Sequence, residues 1–375
     1  MVTNRLIGVQ ETARGGALMM KAPNGRRIAL IEAPGVEVAN PKPALPSLGF
    51  GGAPLGNLFV PLADDAAVDL VLHAHACGVR YFDTAPHYGN GLSERRVGAA
   101  LRRVAPDSYT LSTKVGRLLI ADPEAPRFQN GYADVLPFRQ RWDYSYDGTL
   151  RSIEDSLERL RALRIDIVYI HDLARHAHGS EYAARFREAM DGAAPALARL
   201  KSEGAIAGFG LGVNEWEVCV EALQHADLDV LLVAGRYTLA DQTALPELLP
   251  ICSKRNVRVV IGGPFNSGIL ATGATPTDGR APYFNYEPAP PAILERVAAI
   301  EAVCASHGVP LKAAALQFPI AHPAVACVVP GVRTIEELDE NLSLAQHPIP
   351  NAFWRDLREQ GLVSADSPLP GSAPQ

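Results

Sequence analysis

Short apolar runs alternate with amphipathic stretches from Leu45 almost to the C-terminus. LGFGG, RYFDT, YTLSTK, IDIVYIH, GFGLGV, DVLLVAG, VRVVIGG and VACVVP are rich in branched and aromatic residues and predict strands. The intervening stretches repeat apolar residues at helical spacing: Asp64–Cys77, Leu92–Val104, Gly148–Ala162, Phe186–Glu203, a segment from Glu215, Leu245–Arg255, Ile293–His307 with Leu311–Ala321, and a segment from Thr334. Ser93 is placed to cap the second of these. Eight strand–helix units between residues 44 and 363 fit a closed (β/α)8 TIM barrel better than an open doubly wound sheet.

Three segments break the rhythm. Residues 1–43 read as an N-terminal extension in which RRIALI and GVEVA could pair as a β-hairpin, and residues 364–375 read as a flexible tail. The Pro-rich stretch 282–291 reads as a surface loop. Residues 117–146 separate the third strand from its helix and carry Phe128, Phe138, Trp142, Tyr144 and Tyr146. A loop there lies at the face where barrels carry specificity, which makes it a candidate substrate lid, with Trp142 and Tyr144 able to stack on a sugar.

Composition narrows the partners. The chain has 375 residues, 47% hydrophobic and 20% charged, with a net charge of −6 and no basic run that could track phosphates, so nucleic acid is not an expected partner. No apolar run is long enough to span a membrane, and no leader-like segment opens the chain. Cys77, Cys219, Cys252, Cys304 and Cys327 are scattered, without the spacing of a zinc site, and fit free thiols in a cytoplasmic protein. The run HDLARHAH brings His171, His176 and His178 close in sequence, but in a loop without acidic support, so no metal is expected.

The chemistry gathers at strand ends. Asp83 ends the second strand, Lys114 the third, His171 the fourth and Asn214 the fifth, while Tyr88 lies in the turn after Asp83. Taken singly, Asp83 reads as a turn carboxylate, Lys114 as a solvated strand end and His171 as half of a structural pair with Asp172. In a parallel barrel these ends converge, and the joint occurrence reads as one site. Tyrosine titrates near 10, so a catalytic Tyr88 needs a neighbour such as Lys114 to lower its pKa, with Asp83 orienting the lysine and His171 positioning a substrate oxygen. One acid/base with no metal suits hydride transfer to a nicotinamide.

The runs FDTAPHYGNGLSE, STKVG, YIHD, LKSEGAIAGFGLGVN and VVPGVRTIEELDEN resemble, in order and spacing, the motifs of the aldo-keto reductase superfamily from about Leu48 to Asn341. The resemblance implies a catalytic tetrad of Asp83, Tyr88, Lys114 and His171, with Tyr88 and His171 also meeting substrate. It implies cofactor contacts from Gly52, Asp83 and Asn214, from the loop Gly263, Pro264, Phe265, Asn266, Ser267 and Gly268, and from Gly331, Arg333, Glu337, Glu340 and Asn341. LGFGGAPLGNLF, AGRYTLADQ and IGGPFNSGIL look most like the aldose 1-dehydrogenase branch, with pyridoxal dehydrogenases close by. That branch oxidises the anomeric hydroxyl of an aldose of the L-fucose, D-arabinose or L-galactose type to the lactone.

Departures from the superfamily pattern fall around the nicotinamide. Val213-Asn214, Ala234 and Gly262 stand where many members carry Ser-Asn, a Gln and a stacking Tyr, leaving Tyr237 or Phe265 to replace the stack. Glu337 beside a single Arg333 predicts NAD rather than NADP, because a carboxylate repels the 2′-phosphate. Two other functions share the motifs: oxidation or reduction of pyridoxal or another aldehyde or alcohol, and a regulatory protein that only senses the cofactor. Which sugar is used, the direction of the reaction and the oligomeric state are not set by the sequence.

Overall fold

The computed structural model describes residues 18–21, 27–30 and 45–371, apart from 163, 277, 278 and 280. All eight expected strands form, as β1 (Phe50–Gly51), β2 (Tyr81–Asp83), β3 (Thr110–Val115), β4 (Ile167–His171), β5 (Gly208–Val213), β6 (Val230–Ala234), β7 (Arg258–Gly262) and β8 (Val325–Val329). They pair in parallel in chain order. The sheet closes where Gly49 N donates to Val328 O at 2.9 Å and Gly51 N to Pro330 O at 3.0 Å. This is the (β/α)8 barrel that the alternation predicts.

The helices are α1 (Asp64–Ala76), α2 (Leu92–Leu101), α3 (Tyr146–Leu160), α4 (Tyr182–Glu188 and Ala194–Ser202, joined by the wider turn Ala189–Ala193), α5 (Glu217–Ala222), α6 (Leu248–Arg255), α7 (Pro291–His307) and α8 (Ile335–Leu344). Four more complete the set among the described residues: the short Arg175–His178 and Ile269–Thr272, Leu311–Gln317, which packs against α8, and Asn351–Glu359, which packs against α7. Ser145 caps α3 by accepting from Gly148 N, and Thr334 caps α8 by accepting from Glu337 N. Ser93 does not cap α2. The residue before that helix is Gly91, and the Ser93 hydroxyl instead donates to Gly52 O at 2.7 Å and meets Thr84 Oγ1 at 2.8 Å, tying α2 to the mouth of the barrel.

Period-2 alternation fixes which side chains fill the barrel. Tyr81, Ile167, Tyr169, Val230, Leu232, Val260, Cys327 and Val329 form a buried inner cluster. Two residues further along the same strands, at the C-terminal mouth, stand Asp83, His171, Leu232, Ala234 and Gly262, with Lys114 between the Asp83 and His171 strands. The register makes this a diagonal, since Asp83 lies opposite Ser112, Lys114 opposite Tyr169 and His171 opposite Gly212. The mouth therefore has a charged half on β2–β4. Gly212, Ala234 and Gly262 leave the β5–β7 half open.

The segments outside the rhythm are more ordered than expected. Residues 27–30 do form a hairpin strand, but their antiparallel partner is Leu18–Lys21; the expected partner GVEVA lies outside the described residues. Residues 117–146 contain a hairpin, Arg117–Ala121 against Phe138–Trp142. The Pro-rich stretch forms a small hairpin, Tyr283–Phe284 against Glu287–Pro288, whose two tip residues Asn285 and Tyr286 have φ of 51° and 68°. The expected loose tail packs through residue 371: Ser364 N donates to Gln242 Oε1 at 2.8 Å, and Ser367 and Leu369 are buried.

Candidate active site

Asp83, Lys114, His171 and Tyr88 meet at the barrel mouth. Lys114 Nζ donates to Asp83 Oδ2 at 2.6 Å and to Thr84 O at 2.9 Å, and it stands 4.7 Å from the centre of the Tyr88 ring. The other Asp83 oxygen accepts from Ser112 Oγ at 2.7 Å. That hydroxyl continues into the barrel through Tyr81 and Tyr169, each link 2.9 Å long. Both oxygens of a buried carboxylate are thus satisfied, as burial of the charge requires. The inward chain Ser112–Tyr81–Tyr169 was not anticipated, although its three residues alternate with Asp83, Lys114 and His171 in the sequence.

Tyr88 is carried on a turn that sits directly on the backbone of Gly56. A Cβ at Gly56 would lie 2.4 Å from the Tyr88 carbonyl carbon, and one at Gly89 would lie 2.3 Å from Gly56 O. Only glycines permit this approach. The Tyr88 ring stacks on Tyr132 at 6.1 Å and meets His171 edge-on at 6.0 Å.

The electrostatics correct one expectation. Tyr88 is pushed well above the usual tyrosine range, first by burial and then by Asp83, Tyr132, Tyr286 and Asp172. Lys114 does not reverse this, because its ammonium is turned to Asp83 and the Thr84 carbonyl. Tyr88 therefore stands as a neutral phenol with a proton to give. Burial also lowers His171 well below its usual value, so its imidazole is neutral, and lowers His87 to about 4. For Asp172 burial opposes ionisation, but the Arg117 guanidinium, which donates to it, holds the carboxyl well below the usual range. The Arg117 guanidinium lies 2.5 Å from Asp172 Oδ2 and 3.8 Å above the Trp142 ring.

Two connected cavities open from this point. One, of about 650 Å³, is walled by His87, Tyr88, Lys114, Arg117, Tyr132, Trp142, His171, Asp172 and Asn214. The other, of about 480 Å³, runs from Gly52, Asp83 and Tyr88 past Ala234, Gly262, Gly263, Pro264, Phe265, Ser267 and Gly268 to Gly331, Arg333, Glu337, Glu340 and Asn341. Tyr88 and Tyr286 border both. A dinucleotide fits the second groove. Gly52 cannot carry a side chain without meeting Asp83 O at 2.5 Å, and Gly263, Asn266, Ser267 and Gly268 all have positive φ, bending the backbone into a turn along the groove wall.

Not every expected residue reaches a cavity. Tyr237 is fully buried against Phe318 and His322, at 5.1 and 5.7 Å, and cannot stack on a cofactor; Phe265 does line the groove. Asn266 is buried and braces the loop by donating to Gly235 O at 3.0 Å. Asn214 borders the cavity of about 650 Å³, as Tyr286 does. Tyr144 is also fully buried, donating to His171 O at 2.7 Å and meeting His178 Nε2 at 3.0 Å, so it braces His171 from behind while Trp142 alone faces the cavity. The three histidines diverge, His176 pairing with Glu215 and His178 with Tyr144.

Several residues in the site were not anticipated: His87, Arg117, Tyr132, Gln140, Asp172, Tyr286 and Lys312. Gln140 Oε1 accepts from Arg117 and contacts His87 Nδ1, both at 2.9 Å. Lys312 lines the cofactor groove and pairs with Glu340 at 2.6 Å, so Arg333 is not the only cation there.

A closed parallel barrel with a buried Asp–Lys pair beneath a tyrosine, a histidine on the neighbouring strand and a long groove from the mouth defines a nicotinamide-dependent oxidoreductase. The chain belongs to the Aldo/keto reductase family, whose model matches residues 47–361. It is 42% identical to a pyridoxal 4-dehydrogenase of Microbacterium luteolum over 85% of this chain and 94% of that one. It is 40% identical to a D-threo-aldose 1-dehydrogenase of a Pseudomonas species over 85% and 95%. Among solved structures, the holo form of an aldo-keto reductase from Bacillus halodurans superposes with a TM-score of 0.64 at 25% identity, covering 85% of this chain and 92% of that one.

Proposed function

We propose that the protein oxidises the anomeric hydroxyl of an aldose to the lactone with NAD⁺, Tyr88 serving as general acid/base. The reading rests above all on the Asp83–Lys114 pair held against Tyr88 where the two cavities meet. A nicotinamide in the groove would accept the hydride from C1. Tyr88 Oη would take the hydroxyl proton in this direction and return it in reduction. The neutral His171 would hold the substrate oxygen, Asp83 would keep Lys114 aimed, and the ring of Trp142 would cover one sugar face. The domain that does this would be residues 44–363.

The cofactor groove supports NAD over NADP. Glu337 Oε2 accepts from Arg333 N at 2.7 Å, which fixes a carboxylate at the groove's far end. The Arg333 guanidinium is drawn away to Leu58 O and Val60 O, at 3.5 and 3.2 Å, and Lys312 is engaged by Glu340. A 2′-phosphate would meet two carboxylates and two occupied cations.

A second reading, oxidation of pyridoxal, is favoured by the 42% identity to a pyridoxal 4-dehydrogenase. The test compares NAD⁺ with NADP⁺ on L-fucose, D-arabinose, L-galactose and pyridoxal, following the near-ultraviolet absorbance of the reduced nicotinamide. Turnover of an aldose with NAD⁺ supports the first reading. Turnover of pyridoxal alone moves the substrate to the second, and a preference for NADP⁺ overturns the cofactor assignment. Tyr88→Phe should lose about 10²–10⁴-fold in kcat while still binding cofactor. A variant that kept its turnover would refute the role of Tyr88.

A further inference from the structure

The first and last helices of the barrel, α1 and α8, pack against each other. His73 and Cys77 stand four residues apart at the C-terminal end of α1, and so share one face. Asp339 of α8 comes to the same point, 266 residues from His73. His73 Nε2 lies 2.7 Å from Asp339 Oδ1 and 3.4 Å from Cys77 Sγ, and the three donor atoms all lie within 4.8 Å of one another.

We propose that His73, Cys77 and Asp339 form a Zn²⁺ site that staples α1 to α8. Three observations favour it. A tetrahedral zinc with bonds of about 2.0 Å to nitrogen and 2.3 Å to sulfur needs an N···S edge of about 3.5 Å, close to the 3.4 Å of the His73–Cys77 pair, while the 2.7 Å His73–Asp339 hydrogen bond would open to an N···O edge of about 3.3 Å as the metal replaces it. Second, one imidazole, one thiolate and one carboxylate make a borderline-soft set that selects zinc over magnesium or calcium, with water in the fourth position. Third, the surroundings favour a cation: the site adjoins the carbonyl end of α1, and Glu336 lies one turn before Asp339 on α8. Zinc would replace the proton of the thiol, so binding releases a proton and strengthens with pH.

The site was invisible in the sequence because no Cys/His motif marks it. Two ligands are a helical turn apart, but the third comes from the other end of the chain.

Cobalt reads the geometry directly. Cys77 is the one exposed cysteine of the five; the others are buried, with thiols pushed up by burial, Cys252 and Cys304 to about 12. Tag-free, chelator-stripped full-length protein is titrated with Co²⁺. The expected result is a thiolate-to-cobalt charge-transfer band that saturates at one equivalent, is displaced by Zn²⁺, disappears in Cys77→Ser and needs at least about tenfold more metal in His73→Ala or Asp339→Asn. Zinc should also raise the unfolding midpoint of the parent, by about 2 °C or more at a hundredfold excess over Kd, and not that of Cys77→Ser. No band, a band that survives Cys77→Ser, or visible cobalt absorption without charge transfer overturns the proposal.

Discussion

Lys114 Nζ and Asp83 Oδ2 stand 2.6 Å apart with side chains only 1% and 4% exposed. Two charges this deep are tolerated because each is fully engaged: the lysine also reaches Thr84 O, and the aspartate also takes Ser112 Oγ. Removing one partner strands the other. Asp83→Asn should therefore lower the unfolding free energy by about 3–5 kcal/mol in urea titrations as well as abolish turnover, and Lys114→Met should do the same. The double variant Asp83→Asn/Lys114→Met should lose less stability than the two single losses added, since no unpaired charge remains. Additive losses would mean the pair is not coupled.

With Tyr88 as the general acid/base, its raised pKa should set the pH dependence of the reaction. A group whose pKa is raised keeps its proton through neutrality. Donation, which reduction needs, is then available at neutral pH and lost only as pH climbs through the raised value. Acceptance, which oxidation needs, grows as pH approaches that value. The expected kcat/KM for oxidation rises about tenfold per pH unit on the alkaline side, while that for reduction stays level before falling. Initial rates in both directions across pH check this, and an oxidation profile flat from neutral to alkaline pH would contradict it.

Much of the fold was legible because its signals are local. Each strand is a short apolar run, each helix repeats at helical spacing, and the residues at three successive strand ends point to one face by topology alone. What escaped notice depends on approach in space. Tyr144 and Trp142 are two residues apart on a hairpin edge, and nothing in sequence says that one faces the cavity while the other passes behind His171. Tyr237, after the sixth strand, was a candidate to replace the missing stacking ring, yet it turns into the apolar space beside Phe318. Tyr286 lay in a stretch whose prolines suggested only a loop. Its position over the site comes from a two-residue turn in which both residues adopt positive φ.

Tyr286 borders both cavities, one of them together with Asn214, while Gly262 leaves the β7 end of the mouth without a ring. Its backbone N donates to Ser267 Oγ at 2.9 Å, which ties the hairpin tip to the groove loop. The ring would thus cover the nicotinamide half of the groove. Tyr286→Ala should weaken NAD⁺ binding about tenfold, read by quenching of protein fluorescence without substrate, and leave the unfolding midpoint near that of the parent because the residue as a whole is more than half exposed. Unchanged NAD⁺ affinity would remove Tyr286 from the cofactor site.

Trp142 lines the cavity while Tyr144 is buried behind His171, so their variants should fail differently. Trp142 presents its ring to the cavity beneath the Arg117 guanidinium, 3.8 Å away. Trp142→Ala removes a stacking surface and should raise the sugar KM about tenfold with a smaller change in kcat. The Tyr144 hydroxyl donates to His171 O at 2.7 Å from a fully buried position. Tyr144→Phe leaves that carbonyl with one donor fewer and should cost about 1 kcal/mol of stability, with KM nearly unchanged. The two readouts cross: a KM effect from Tyr144→Phe and none from Trp142→Ala would put the sugar on the other side of the hairpin. The expected pattern would place it between Trp142 and His171, on the same side of the barrel mouth as Tyr88.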